Sequence, residues 1–179
     1  MIRFGILAVG LALAGCASGT KGLSKSELAA LPITVTMPKG SASYAGKLET
    51  ITTGGGSTDT ESMDFSMAAN FDANTVLATA TNYSATAVIG SDTGTITAAG
   101  SATGAGTISG SGFVIPSVSG AFTVTSETLN GVAQPLTGAA IPLTTNSPIS
   151  GNFVGVGATG VYGTGAILGG TYELYGTKQ

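Results

Sequence analysis

The stretch Ser62-Met63-Asp64-Phe65-Ser66-Met67-Ala68-Ala69-Asn70-Phe71-Asp72 decides the fold class. Met63, Phe65, Met67, Ala69 and Phe71 alternate with Asp64, Ser66, Ala68, Asn70 and Asp72. A period of two sends one set to a buried face and the other to water, the pattern of a half-buried β-strand. Asp72-Ala73-Asn74 then supplies turn residues before Thr75-Val76-Leu77, so the stretch reads as one arm of a hairpin.

The same texture extends on both sides: short segments rich in Thr and small residues, punctuated by Gly, Asn and Pro. Strands are expected at Ala42–Thr52, Ser62–Phe71, Thr75–Thr81, Thr93–Ala99, Gly106–Ile115, Gly120–Thr128, Ile149–Val156 and Leu168–Gly176. Asn82–Asp92, Leu129–Pro148 and Gly157–Ile167 are left as long loops, the kind that in compact domains carry function. Eight short strands joined to their neighbours predict an all-β fold, a small eight-stranded antiparallel up-and-down barrel over residues 40–179, with a two-sheet sandwich as the rival. Phe65, Phe71, Phe113, Phe122, Phe153 and Tyr172 are the expected large core pieces. A membrane-spanning barrel needs strands of about 9–11 residues and aromatic girdles, whereas several strands read shorter here and aromatics make up 6%.

Composition removes most chemistry. The 179 residues include 29 Gly, one Cys and no His or Trp, and only 8% are charged, against about 25% in an average domain. Between Lys47 and Lys178 there is no basic side chain. Phosphate neutralisation needs Lys and Arg, so nucleic acid is excluded as a partner. A Ser–His–Asp or Cys–His site lacks its base, a zinc site its ligands and a P-loop its lysine. The chain is expected not to be an enzyme and to use no cofactor.

Met1–Gly15 has a positive start at Arg3, an apolar run from Phe4 to Leu13 and small residues at its end, a secretory signal too short to span a bilayer. Its end, Leu13-Ala14-Gly15-Cys16, resembles the lipobox of bacterial lipoproteins; an ordinary signal with an incidental Cys is the alternative. The resemblance implies removal of residues 1–15 and a lipid-modified Cys16 carrying acyl chains such as palmitate, at about 0.8 kcal/mol per buried methylene a stable membrane anchor. Lipoprotein-export machinery is then an implied partner. From Cys16 onward five basic face nine acidic side chains, a net charge near −4. Residues 16–39 read as a linker. Within it Ser24 and Glu27 fit a capping box before Leu28-Ala29-Ala30-Leu31, so a short spacing helix ended by Pro32 competes with disordered linker.

Several segments resemble one barrel type. Ala42-Ser43-Tyr44-Ala45-Gly46, then Phe65 to Phe71 leading into Thr75-Val76, then Gly106-Thr107-Ile108-Ser109-Gly110-Ser111-Gly112-Phe113 read as successive strands. Gly151-Asn152-Phe153-Val154-Gly155-Val156-Gly157-Ala158 followed by Leu168-Gly169-Gly170-Thr171-Tyr172 resembles the closing signature of the β-barrel domain of transferrin-binding protein B and related surface lipoproteins. The run departs from that signature in lacking Gly-Pro after the first aromatic, and the chain has room for one barrel without a handle domain. Transferrin binding is therefore not carried over. The resemblance implies a lipid-anchored barrel on the outer membrane, at the cell surface, binding a protein or haem/iron-carrier ligand through its loops. The alternative is an envelope scaffold that uses the barrel as a structural module.

Candidate ligand contacts are Leu136, Ile141 and Leu143 on the Leu129–Pro148 loop, with Tyr83 and Tyr162 on the other two. Tyr can ligate haem, but a hydrogen-bonded core or rim tyrosine is the default. Asp59, Glu61 and Asp64 have oxygen ligands for Ca²⁺ yet lack the EF-hand length and glycine, so a solvated rim is expected and no metal is assigned.

Overall fold

A computed structural model describes residues 22–136, 138–145, 147–167 and 170–179. The signal segment 1–15, Cys16 and the lipobox lie outside the described residues. The chain is all-β and antiparallel, with a ring of eight strands.

The wall begins as a meander. β1 (Ser41–Gly54) pairs with β2 (Ser57–Asn70), β2 with β3 (Thr75–Ile89) and β3 with β4 (Asp92–Ser109). β4 then meets two strands end to end, β5 (Gly112–Ile115) and β6 (Val118–Leu129), interrupted at Pro116-Ser117. After the short β7 (Val132–Ala133), the next wall member is likewise broken, into β8 (Ala140–Thr145) on β6 and β9 (Ile149–Val154) on β5. β10 (Gly160–Ile167) and β11 (Gly170–Lys178) follow, and β11 closes the ring on β1. Counting β5 with β6 and β8 with β9 as single wall members, the topology is the expected up-and-down barrel.

Individual boundaries differ from the sequence reading. Gly106–Ile115 is not one strand: Gly110, in the left-handed region at φ 56°, turns it into the β4–β5 hairpin. Asn82–Asp92 is the outer half of the β3–β4 hairpin, Gly157–Ile167 contains β10, and Leu129–Pro148 contains β7 and β8. Hydrophobic alternation is broken in each: Ala85 and Ala87 follow Tyr83 on the inward face of β3, Gly163 and Gly165 follow Val161 on β10, and the inward pair Ile141 and Leu143 on β8 is too short a run to read as a strand. Strands of 14 to 18 residues also remove the length argument against a membrane barrel. The faces supply a different one. The interior is apolar and packed, while the outer faces of β1, β2 and β4 present Lys47, Glu49, Asp64, Ser66, Ser101 and Thr103, the reverse of an apolar-out membrane barrel.

Bulges bend the wall. The register slips between Ser62 and Asp64 where β3 inserts Asn82, between Thr81 and Tyr83 where β4 carries an extra residue, and between Thr97 and Ala98 where β6 inserts Thr125. Asn82 lies in the left-handed region at φ 53° and its side chain donates to Asp64 at 2.6 Å. Three bulges at one level across adjacent strands sharpen the coil of that wall.

One end of the barrel is plugged. Tyr44, Phe71 and Phe113 surround the fully buried ring of Phe153 at centroid distances of 5.6, 5.1 and 5.6 Å. The β9–β10 turn tucks Ala158 under them, where its carbonyl accepts a 2.9 Å bond from the Tyr44 hydroxyl. All six aromatic core residues expected from sequence are buried.

The helix α1 (Lys25–Ala30) forms with the expected capping box, Ser24 and Glu27 satisfying each other's backbone donors. It does not act as a spacer: buried Leu28 packs where a side chain at Gly160 would stand, and Thr34 and Gly155 bond across to Phe153 and Pro32. Lys25 reaches the outer wall, pairing with Glu49 at 3.0 Å and Glu173 at 2.7 Å. Lys25 hydrogen bonds hold the Glu173 carboxyl below the usual carboxylate range, and Glu173 and Glu49 raise Lys25 above the usual lysine range. A lowered carboxylate stabilises above its ordinary pKa of about 4.3 and is lost as pH falls through the folded value; the raised lysine stabilises below about 10.4 and is lost as pH rises through its own. Helix docking should therefore hold from about pH 5 to pH 10. The groups are partly exposed, so the pairing contributes about 1 kcal/mol. Leu28 methyl resonances should move toward unfolded-peptide positions as pH falls below the ordinary carboxylate range and through the folded-state value of Glu173, and invariance across the whole acid titration of that carboxyl would show that Leu28 packing alone holds the helix.

Candidate functional site

The opposite end of the barrel is open. Inward residues of β1 run from Tyr44 and Leu48, both buried, through Thr50 to the partly exposed Thr52. β2 grades the same way, from Met63 through Glu61 to Asp59, and β3 from Tyr83 through Ala85 to Ala87. Beneath this mouth lies a cavity of about 140 Å³, lined chiefly by Leu48, Met63, Phe65, Ile115, Leu143 and Leu174.

The wall opens where the cavity forms. Pro116-Ser117 separates β5 from β6, and β8 ends at Thr145 before β9 begins at Ile149, so both wall members are interrupted beside it. β10 pairs with β9 only over Gly160–Tyr162; Gly163–Ile167 has no ladder partner on that side among the described residues. β8 likewise pairs with β6 alone, and Pro142, which has no N–H to donate, fits such an edge. Tyr172 spans the gap from within. Its phenol accepts from the Ser150 amide at 2.8 Å and donates to the Ser150 carbonyl at 3.0 Å, lying over Gly165, where a Cβ would strike the ring.

Among the described residues, Glu61 is the one charged side chain on the cavity lining. The Tyr83 hydroxyl donates to its Oε1 at 2.9 Å and the Thr50 hydroxyl to its Oε2 at 2.9 Å. A carboxylate has about four lone-pair sites, so each oxygen retains acceptor capacity. Burial, then the Glu61 carboxylate, pushes the Tyr83 phenol well above its ordinary value, so it stays a neutral donor. Asp59, two residues away on the same face, adds a second negative charge to the mouth. The described lysines that are paired stand outside the barrel, Lys25 on Glu49 and Glu173 and Lys47 on Asp64 at 2.7 Å.

The sequence-predicted contacts do not share one surface. Tyr83 is not a loop residue: it sits in β3, buried inside the barrel against Phe122 at 5.6 Å. Tyr162 stands on the outer face of β10, donating to Glu173 at 3.2 Å. Ile141 and Leu143 belong to β8 and pack against the core, Leu143 lining the cavity. Leu136 alone is exposed in irregular chain. Asp59 and Glu61 point inward while Asp64, across the bulge, points outward to Lys47, so the three carboxylates do not converge on one ion. No metal-holding cluster occurs among the described residues. The Glu61–Tyr83–Thr50 group was missed although its signal was present: the parity that puts Met63 inside puts Glu61 inside too.

No protein-family description matches the chain, and no curated protein matches it. Among solved structures it is similar to the N-lobe domain of lactoferrin binding protein B (LbpB) of Moraxella bovis, at 13% identity and a TM-score of 0.37 over 80% of this chain. The match spans 61% of that lobe. At this level the likeness carries no functional argument; the barrel is established by its own strand register.

Proposed function

We propose that the chain is a non-enzymatic lipoprotein of the bacterial outer membrane, lipid-anchored through Cys16, whose barrel is a ligand-binding module with its open end turned away from the membrane. The observation that carries this reading is the polarity of the barrel. The described chain begins at Gly22 beside Thr177, at the plugged end, and the cavity opens at the other. Five residues lie between Cys16 and Gly22, and the six steps that join them, at about 3.5 Å each, reach at most about 20 Å. A lipid on Cys16 therefore presents the mouth outward. The ligand class implied by the family resemblance is a protein or a haem/iron carrier. A cavity near the size that holds one benzene ring would not admit a porphyrin, so a haem-bearing ligand would be met at the rim.

The envelope-scaffold reading has one observation in its favour. The open-end turns Gly55-Gly56, Gly90-Ser91 and Asn130-Gly131 are tight, which among the described residues leaves 134–136 and 138–139 there as irregular chain to grip a large partner. Protease treatment of intact cells, with permeabilised cells as control, separates the two. Loss of the barrel on intact cells, abolished when Cys16→Ser prevents anchoring, is the expected result. Protection until permeabilisation would overturn surface display and leave the scaffold reading, which self-association of the purified chain would then support.

A further inference from the structure

We propose that the interior cavity is a binding site for a small hydrophobic amine, with the ring or short alkyl chain held against Leu48, Met63, Ile115 and Leu143 and the ammonium received by Glu61. Size, shape and charge each restrict the ligand. A volume of about 140 Å³ matches engineered apolar cavities that bind benzene, so one six-membered ring or its aliphatic equivalent fits. The lining is mostly apolar, with Phe65 among its aliphatic and thioether side chains; Thr79 and the buried Thr145, which accepts from the Val118 amide at 3.1 Å, are also on it, and Thr50, Thr52 and Glu61 form its mouth-ward edge. An apolar pocket with a few convergent polar groups at one side orients an amphiphile, apolar end first.

The polar edge selects the head group. Tyr83 and Thr50 each donate one hydrogen bond to Glu61, and the oxygens keep lone pairs for a further donor. An ammonium offers three donors and the compensating charge; a neutral alcohol offers one donor and no charge. An anion meets Glu61 and Asp59 with no inward basic group among the described residues to offset them. Charge-assisted bonds are about twice as strong as neutral ones, and the surrounding apolar wall strengthens the contrast.

This inference deepens the binding-module reading by naming a ligand class for the open end, but it does not depend on surface display. Protease protection on cells would remove display and leave the cavity site standing, and failure of amine binding would leave display standing.

Calorimetric titration of the purified full-length chain with benzylammonium, benzyl alcohol and benzoate tests it. Benzylammonium should bind at least tenfold more tightly than benzyl alcohol, and benzoate should give no heat. Glu61→Gln should weaken benzylammonium about tenfold and leave benzyl alcohol within twofold. Ala80→Leu, which fills the cavity from the β3 wall, should abolish both. Absence of binding by all three probes, equal affinity for the amine and the alcohol, or amine affinity unchanged in Glu61→Gln would each overturn the proposal. The series of probes on the unaltered chain decides the matter even where a variant fails to fold.

Discussion

Phe153→Ala should cost the barrel about 3–5 kcal/mol, the range for truncating a fully buried phenylalanine. Its ring is fully buried and stands between Tyr44, Phe71 and Phe113, contributed by β1, the end of the β2–β3 hairpin and β5. Removing it takes the shared partner from three aromatic contacts at once, and the rigid walls cannot collapse inward to fill the space. Domains of this size have a net stability of about 5–15 kcal/mol, so a large part of it would go. Urea unfolding followed by circular dichroism should show a lower midpoint with an unchanged slope. A loss under 1 kcal/mol would mean that the plugged end does not hold the ring together.

Gly46→Val should be comparably severe, about 3 kcal/mol or more, for a reason that has nothing to do with lost contacts. Gly46 faces inward on β1 in register with Gly176 on β11, and a Cβ there would overlap the Tyr175 carbonyl oxygen. The obstacle is backbone in the ladder that closes the ring, so relief requires β1 and β11 to part. Overpacking a core costs about 1–3 kcal/mol when side chains can move, and more when they cannot. A control at Gly54, which has open space around it, should cost far less. Equal effects at both positions would show that strand propensity rather than closure is being measured.

The two substitutions bear on different parts of the fold's specification. Phe153 sits in the Gly151–Ala158 run, and the structure gives that run a physical purpose. Gly155 and Gly157 take left-handed backbone at φ 78° and 68°, which folds the turn back and buries Ala158 beneath the aromatic cluster. The sequence reading carried its strand through Gly155 to Val156, whereas β9 ends at Val154, because the left-handed backbone at Gly155 takes the chain out of the ladder. Gly46 is different. In a chain with 29 glycines nothing marks this one as the point where two backbones meet.

The same contrast runs through the candidate site. Sequence placed Tyr83 and Tyr162 on loops, and the structure puts one inside the barrel and the other on its outer wall. The error came from reading Thr-, Ala- and Gly-rich strands as irregular chain, since inward alanines and glycines leave no hydrophobic alternation to follow.

What the sequence determined by itself was local and one-dimensional. Period-two patterning from Met63 to Phe71 specified a half-buried strand, Ser24 and Glu27 supplied the capping box of a helix that still competed with disordered linker, and the lack of His with so few basic residues removed whole classes of chemistry. Those properties depend on neighbours within a few residues or on composition. What only the tertiary structure decided was closure: which end is plugged, where the wall breaks, at Pro116-Ser117 and between the end of β8 at Thr145 and the start of β9 at Ile149, and that Thr50, Glu61 and Tyr83 meet beside an apolar cavity. Closure is set by register and bulges accumulated around eight strands, and a one-residue slip at Asn82 reverses which side chains face inward beyond it. Such information is shared among strands far apart in the chain, and no single stretch contains it.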